Sequence, residues 1–303
     1  MTEAFRSDGD EESDGYSSST STSTSSSSTF PRKLSIYDPP LRPLLPPLLR
    51  ARALAARCIL RWRPFKNAAR SESAVLTDFG CGDGALSRQL IQHFDGRMIG
   101  FDVDERAVDR YNTYARNQGI SPSEMSAWKI DVLLNEPQNE ICGLVDIIVS
   151  AMAFHHIQDI PAVTQTLVDK YLRNSTGYIA IVDLMQTEIT TTIFANARAA
   201  RAAARGASST DHAGGLVYHT GGVSPAAVEA ALIAAGLQEV SVQHAFEVVV
   251  KVPVQFVHAI SSGSGSGSGS ASRNGNGSGS SSGSSSAQVE VQLPFFMAVG
   301  RKK

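Results

Sequence analysis

From residue 74 onward, apolar and polar positions fall into alternating blocks. Ala74-Val75-Leu76 is a short apolar run ending in Asp78-Phe79. Leu86, Leu90, Ile91 and Phe94 then recur at helical spacing, and Met98-Ile99-Gly100-Phe101 is a second apolar run ending in Asp102. Val108, Tyr111 and Ala115 predict a helix that Asp104 can cap. Ala127–Asp131 reads as a third strand with an acid at its end. Gly143–Ser150 is almost continuously apolar, as a central parallel strand covered on both faces would be. Asp159–Leu172 predicts a helix, Gly177–Asp183 a fifth strand with another terminal acid, and residues 188–206 an Ala/Arg-rich helix or lid. Ser224–Ala235 is a helix capped by Ser224 and stopped by Gly236, while Glu239–Val254 and Val289–Val299 read as the last strands. Strands alternating with helices predict an α/β fold.

Three stretches do not follow this rhythm. Residues 1–35 are rich in Ser and Thr and open on acids; they hold too little apolar surface to offset chain entropy, and the expectation is a disordered tail. Residues 36–70 contain a basic amphipathic pattern in which Leu48, Leu49, Arg52, Ala53, Ala56, Ile59 and Leu60 share one side. Such a helix can lie on a membrane, but packing over the core domain as a lid is the favoured reading. Residues 261–286 are nearly all Ser, Gly and Asn, which reads as a flexible insertion between the last two strands. The domain proper is then 71–303. Doubling a flexible loop costs only about 0.6 kcal/mol, so the fold tolerates the insertion.

Composition narrows the function classes. With 303 residues, 42% of them hydrophobic, the chain can bury one sizeable core. A formal net charge of −2 gives no electrostatic footprint for nucleic acid. Cys58, Cys81 and Cys142 are scattered, with neither a disulfide framework nor metal spacing, which suggests a reducing, cytoplasmic setting and no metal. No apolar run is long enough to span a bilayer. The oligomeric state is not legible.

The chemistry concentrates between residues 75 and 104. Strand, glycine turn, helix and strand ending in an acid make the first half of a dinucleotide-type unit. A phosphate cradle uses the spacing G-x-G-x-x-G, whereas here Asp78, Gly80, Gly82 and Gly84 form D-x-G-x-G-x-G, with Asp83 inside. Acids repel a pyrophosphate and suit a cationic ligand. Asp102 lies 18 residues past Gly84, near the spacing of roughly 20 for an acid that takes ribose hydroxyls. At these residues the chain resembles the class I S-adenosylmethionine-dependent methyltransferases. The resemblance implies a Rossmann-like doubly wound sheet of seven strands, mostly parallel, with an antiparallel C-terminal hairpin. It implies S-adenosylmethionine as cofactor, held by Asp78, Gly80, Cys81, Gly82, Asp83 and Gly84, with Asp102 and Val103 at the ribose and Asp131 and Val132 at the adenine. Ser150 would complete the site, and Tyr37, in a Tyr-Asp pair, would help cover it.

Met152-Ala153-Phe154-His155-His156-Ile157 follows the fourth strand, at the sheet end where open α/β folds bind ligands. It resembles the aliphatic-His-His signature of methyltransferases acting on small molecules, including fungal members. The Asn/Asp-Pro-Pro-aromatic sequence of the nucleobase amino-methylating enzymes is missing here. Methyl transfer needs mostly alignment of nucleophile and methyl carbon, and a base only where an O- or N-nucleophile has a proton to lose. His155, His156 and His219 are the candidates, with His156 and His219 preferred. The alternatives are a non-catalytic S-adenosylmethionine- or nucleotide-binding regulator, and an NAD-dependent oxidoreductase, against which the glycine spacing argues.

Overall fold

The computed structural model describes residues 46–134, 140–205, 218–257 and 287–303. The expected tail, Tyr37 and the insertion at 261–286 lie outside these residues.

Seven strands form one sheet. They are β1 (Val75–Phe79), β2 (Arg97–Asp102), β3 (Met125–Lys129), β4 (Ile147–Ala151), β5 (Tyr178–Leu184), β6 (Gln238–Pro253) and β7 (Gln288–Arg301), in the order β3-β2-β1-β4-β5-β7-β6. The first five are parallel; β7 runs antiparallel to β5, and β6 antiparallel to β7. The doubly wound class expected from the sequence is the class observed.

Helices cover both faces of the sheet, which is why its central strands are apolar on both sides. On one face α5 (Ile160–Thr166) and α7 (Pro225–Ala234) bury Ile160, Val163, Val228 and Leu232 against Ile99, Ile148, Ile179 and Ile181. On the other, α1 (Pro47–Arg61) and α2 (Arg63–Ala68) bury Ala55, Ala56, Ile59 and Phe65 against Leu76, Ile147, Val149 and Val182. The alanines let α1 lie close to the sheet. α4 (Glu105–Asn117) sets Val108, Tyr111 and Ala115 over Met125 and Ala127. Local chemistry starts the helices as expected. Asp104 accepts from the Arg106 amide at 3.0 Å, Asp159 from Ala162 at 2.9 Å, and Ser224 from Ala227 at 3.4 Å.

Several boundaries move. The periodicity at 86–94 yields only α3 (Ser87–Leu90) and one 3₁₀ turn, Ile91–His93. The fourth strand begins at Ile147 rather than Gly143, because Gly143 takes φ +67° and the Asp146 side chain turns to other work. It accepts from the Val75 amide at 2.9 Å and from Arg173 at 2.7 Å, tying together the amino ends of β1, β4 and β5. The third strand stops at Lys129, so Asp131 lies beyond it.

The last two strands outrun the sheet. β7 pairs with β5 from Arg301, opposite Tyr178, to Phe295, opposite Leu184; its residues before Pro294 pair with β6 and project past the carboxyl end of β5. This arm meets α1 in a separate apolar cluster of Ala51, Leu184, Val248 and Phe295, with Met152 against it. α6 (Glu188–Arg205) reaches the same arm: the Asn196 amide donates to the Phe256 carbonyl at 2.9 Å.

Candidate functional site

The carboxyl ends of β1 and β2 are joined by main-chain hydrogen bonds before any side chain acts. The amides of Gly80 and Cys81 both donate to the Phe101 carbonyl, at 2.8 and 3.0 Å. The next amide, of Gly82, donates to Asp102 Oδ2 at 2.7 Å, and Asp102 Oδ1 accepts from the Asp104 amide at 2.9 Å. A carboxylate offers about four acceptor positions. Two are used, one per oxygen, so each oxygen keeps a lone pair for a ligand.

The glycines divide into two kinds. All three of Gly80, Gly82 and Gly84 have positive φ. A Cβ on Gly80 would sit 2.3 Å from the Ala153 Cβ, and one on Gly84 would sit 2.6 Å from Tyr111, so these two serve packing. A Cβ on Gly82 would meet no atom within 4 Å. The open side of the loop is therefore at Gly82. At Gly80 the obstacle to a side chain is Ala153 of the chain itself.

Acids surround this opening. Asp78 is buried, and its Oδ2 accepts from the Ser87 hydroxyl at 2.6 Å. Burial above all pushes its carboxyl up to about 7; the Ser87 hydrogen bond opposes this, and the Asp102 charge adds to it. Asp83 pairs with Arg52 of α1 at 3.6 Å, so α1 supplies a cation to the glycine loop. Neither Ser87 nor Arg52 carries a sequence signal linking it to the loop. Cys81 is buried with its thiol raised well above the usual range, chiefly by burial, which makes it packing rather than a nucleophile. Val103 is exposed beside Asp102. The Asp131 carboxylate accepts from the amides of Leu133 and Leu134, at 3.0 and 3.3 Å, and so organises its own turn. Val132 is core, among Ile130, Ile141 and Val145. Ser150 donates to the Phe79 carbonyl at 2.9 Å, linking β4 to β1.

The second half of the site lies past β4 and β5. The chain leaves β4 through Met152 at φ +61°, a strained conformation of the kind that gathers at functional sites. A 3₁₀ turn, Phe154–His156, follows, with Phe154 buried beneath it. His155 Nδ1 lies 2.7 Å from Oδ1 of Asp183, which is wholly buried on β5. Asp183 also accepts from the backbone amides of His155, at 3.3 Å, and Leu184, at 2.7 Å. The His155 and His156 rings are 4.2 Å apart. The His219 amide donates to the His155 carbonyl at 3.0 Å, and its Nε2 lies 2.9 Å from the Ile157 carbonyl. The three histidines are thus brought together from two segments. Asp183 had a visible signal, an acid ending an apolar strand, but nothing in the sequence joined it to His155.

Among the described residues no group of His, Cys, Asp and Glu could hold a metal ion, and no helix is long and apolar enough to cross a membrane.

This arrangement is that of a Rossmann-like methyltransferase fold, and comparison with known proteins agrees. Residues 76–171 match a family model described as a methyltransferase domain. An uncharacterized methyltransferase of Schizosaccharomyces pombe is 31% identical over 113 residues, 37% of this chain and 39% of the relative. An uncharacterized protein of Haemophilus influenzae is 26% identical over 103 residues, 33% of this chain and 39% of that protein. The chain matches only about two fifths of the length of these curated relatives. The YcgJ protein of Bacillus subtilis has a similar fold, with a TM-score of 0.51 at 15% identity over 79% of this chain and 96% of that one. Residues 76–171 carry a methyltransferase domain, and the fold around them is that of the class I S-adenosylmethionine-dependent enzymes. The cofactor of that family fits the residues present: Gly82 leaves room for it, the acids suit its ammonium and sulfonium, and Asp102 has acceptor capacity for two hydroxyls.

Proposed function

We propose that this chain transfers a methyl group from S-adenosylmethionine to an O- or N-nucleophile of a small molecule. The cofactor, when bound, supplies a methyl group already activated on a sulfonium. The chain's own residues bind, align and exclude water. In this reading the Gly80–Gly84 backbone, with Asp78 and Asp83, receives the cationic end of the cofactor. Asp102 accepts from the ribose hydroxyls beside Val103, and the Asp131-Val132 turn borders the adenine. Ser150 and Cys81 act beneath the ligand, holding the loop's shape. The arm of β6 and β7, with α1 and α6, walls the acceptor side.

The observation that carries this reading is the Gly82 loop, bound to Asp102 by its amide and open on its other side. An NAD-type site would need that opening to accept a pyrophosphate, and Asp78 and Asp83 are the wrong charge for it. Calorimetric titration separates the readings: S-adenosylhomocysteine binds and NAD does not. The reverse order of affinities overturns the assignment. Incubating small-metabolite fractions with methyl-labelled cofactor then tests catalysis; binding without label transfer to any fraction favours a regulatory binding protein.

A further inference from the structure

His155 Nδ1 lies 2.7 Å from Oδ1 of Asp183, and that carboxylate is completely buried. A buried carboxylate without a hydrogen-bonding or charged partner is costly, and Asp183 finds three donors: two amides and a ring nitrogen. An ionised carboxylate only accepts, so the nitrogen facing it carries the hydrogen, and His155 is the Nδ1–H tautomer. Its Nε2 is then the bare nitrogen. His219 is built the other way round. Its Nε2 faces a carbonyl, which also only accepts, so the hydrogen sits on Nε2. A carbonyl has no charge with which to balance a protonated ring; Asp183 has one.

We propose that Asp183 is a positioning residue that fixes the tautomer and placement of His155, so that His155 Nε2, rather than a nitrogen of His219, takes the acceptor's proton. The use of Nε2 rests on the methyl-transfer reading; the tautomer does not. In the proton step, the O–H or N–H bond of the acceptor breaks and its electron pair stays on the nucleophile. The proton forms an Nε2–H bond, and the resulting imidazolium is compensated by the Asp183 carboxylate. The ring side chain is 19% exposed, so the proton can pass on to solvent. His219 supports the arrangement by donating its amide to the His155 carbonyl.

A purely structural Asp183, needed only for the two backbone amides, would not set the ring tautomer. Ring ¹⁵N NMR of the labelled full chain, under conditions where the histidines are neutral, tells the two apart. The expected spectrum has opposite tautomers in one protein, Nδ1–H for His155 and Nε2–H for His219, with His155→Gln assigning the signals. In Asp183→Asn the His155 preference is lost while S-adenosylhomocysteine affinity is retained. If that variant does not fold, the wild-type spectrum decides by itself. An Nε2–H tautomer at His155, or averaging of both forms, overturns the proposal. Failure of the wild-type chain to bind S-adenosylhomocysteine overturns the methyl-transfer reading, and with it the use of Nε2, whatever the spectrum shows.

Discussion

The two halves of the site are built by different means. Around β1 and β2, everything from Asp78 to Asp104 lies in one continuous stretch, and main-chain groups make most of its hydrogen bonds. Around β4 and β5, His155, Asp183 and His219 come from three separated places, and the contacts that matter run through side chains. The first half is fixed by backbone geometry, which glycines set locally. The second exists only once the sheet has formed and placed Asp183 beneath the turn after β4. Substitutions in the first half should therefore act on cofactor affinity, and those in the second on protonation state.

The sharpest break of this contrast is at Gly82. Gly82→Val puts a branched side chain where no protein atom stands and where the ligand must approach, so S-adenosylhomocysteine binding should be lost from a calorimetric titration. Forcing a branched residue to φ +53° costs about 1–2 kcal/mol of stability as well. Gly80→Val should instead fail mainly in thermal melting, because its Cβ collides with Ala153. A Gly82→Val protein that binds normally would remove the loop from the site.

Next in size is Asp102. Hydrogen bonds to a charged acceptor are worth about 1.5–3 kcal/mol each, and Asp102→Ala also frees the Gly82 amide. Affinity for S-adenosylhomocysteine should fall at least about tenfold, since 1.4 kcal/mol is a factor of ten. Unchanged affinity would mean that another group takes the ribose.

A third effect depends on pH. Burial raises Asp78 to about 7, and a cationic ligand favours its ionised form. Affinity for S-adenosylmethionine should therefore rise up to about tenfold from one unit below that value to one unit above it, and Asp78→Asn should flatten the profile. The stability of the free protein runs the opposite way. The folded carboxyl is still protonated where the unfolded one has ionised, so stability is full below its ordinary value of 3.8 and falls as pH rises toward about 7. A melting temperature that climbs through this window in the wild type, relative to Asp78→Asn, would contradict the burial argument.

The smallest expected effect marks the edge of the site. Asp104 caps α4, so Asp104→Ala should cost about 1 kcal/mol in denaturant unfolding and leave cofactor affinity intact. Affinity lost at Asp104 but kept at Asp102 would shift the binding acid by two residues.

The sequence by itself determined the element order, the α/β class and the glycine-acid stretch. Those depend on periodicity, caps and turn chemistry within a few residues of each other, as at Asp104, Ser224 and Gly82. It misplaced the start of β4 because Asp146 is spent on Val75 and Arg173, partners distant in the chain. It also placed Asp131 at a strand end that stops two residues earlier. Only the tertiary structure decided that Gly80 faces Ala153 while Gly82 faces open space, that Arg52 reaches Asp83 from α1, and that Asp183 stands under His155. Each of these is a contact between segments far apart in sequence. No local pattern encodes such a contact, because its energy appears only when the parallel strands align and bring their carboxyl ends together.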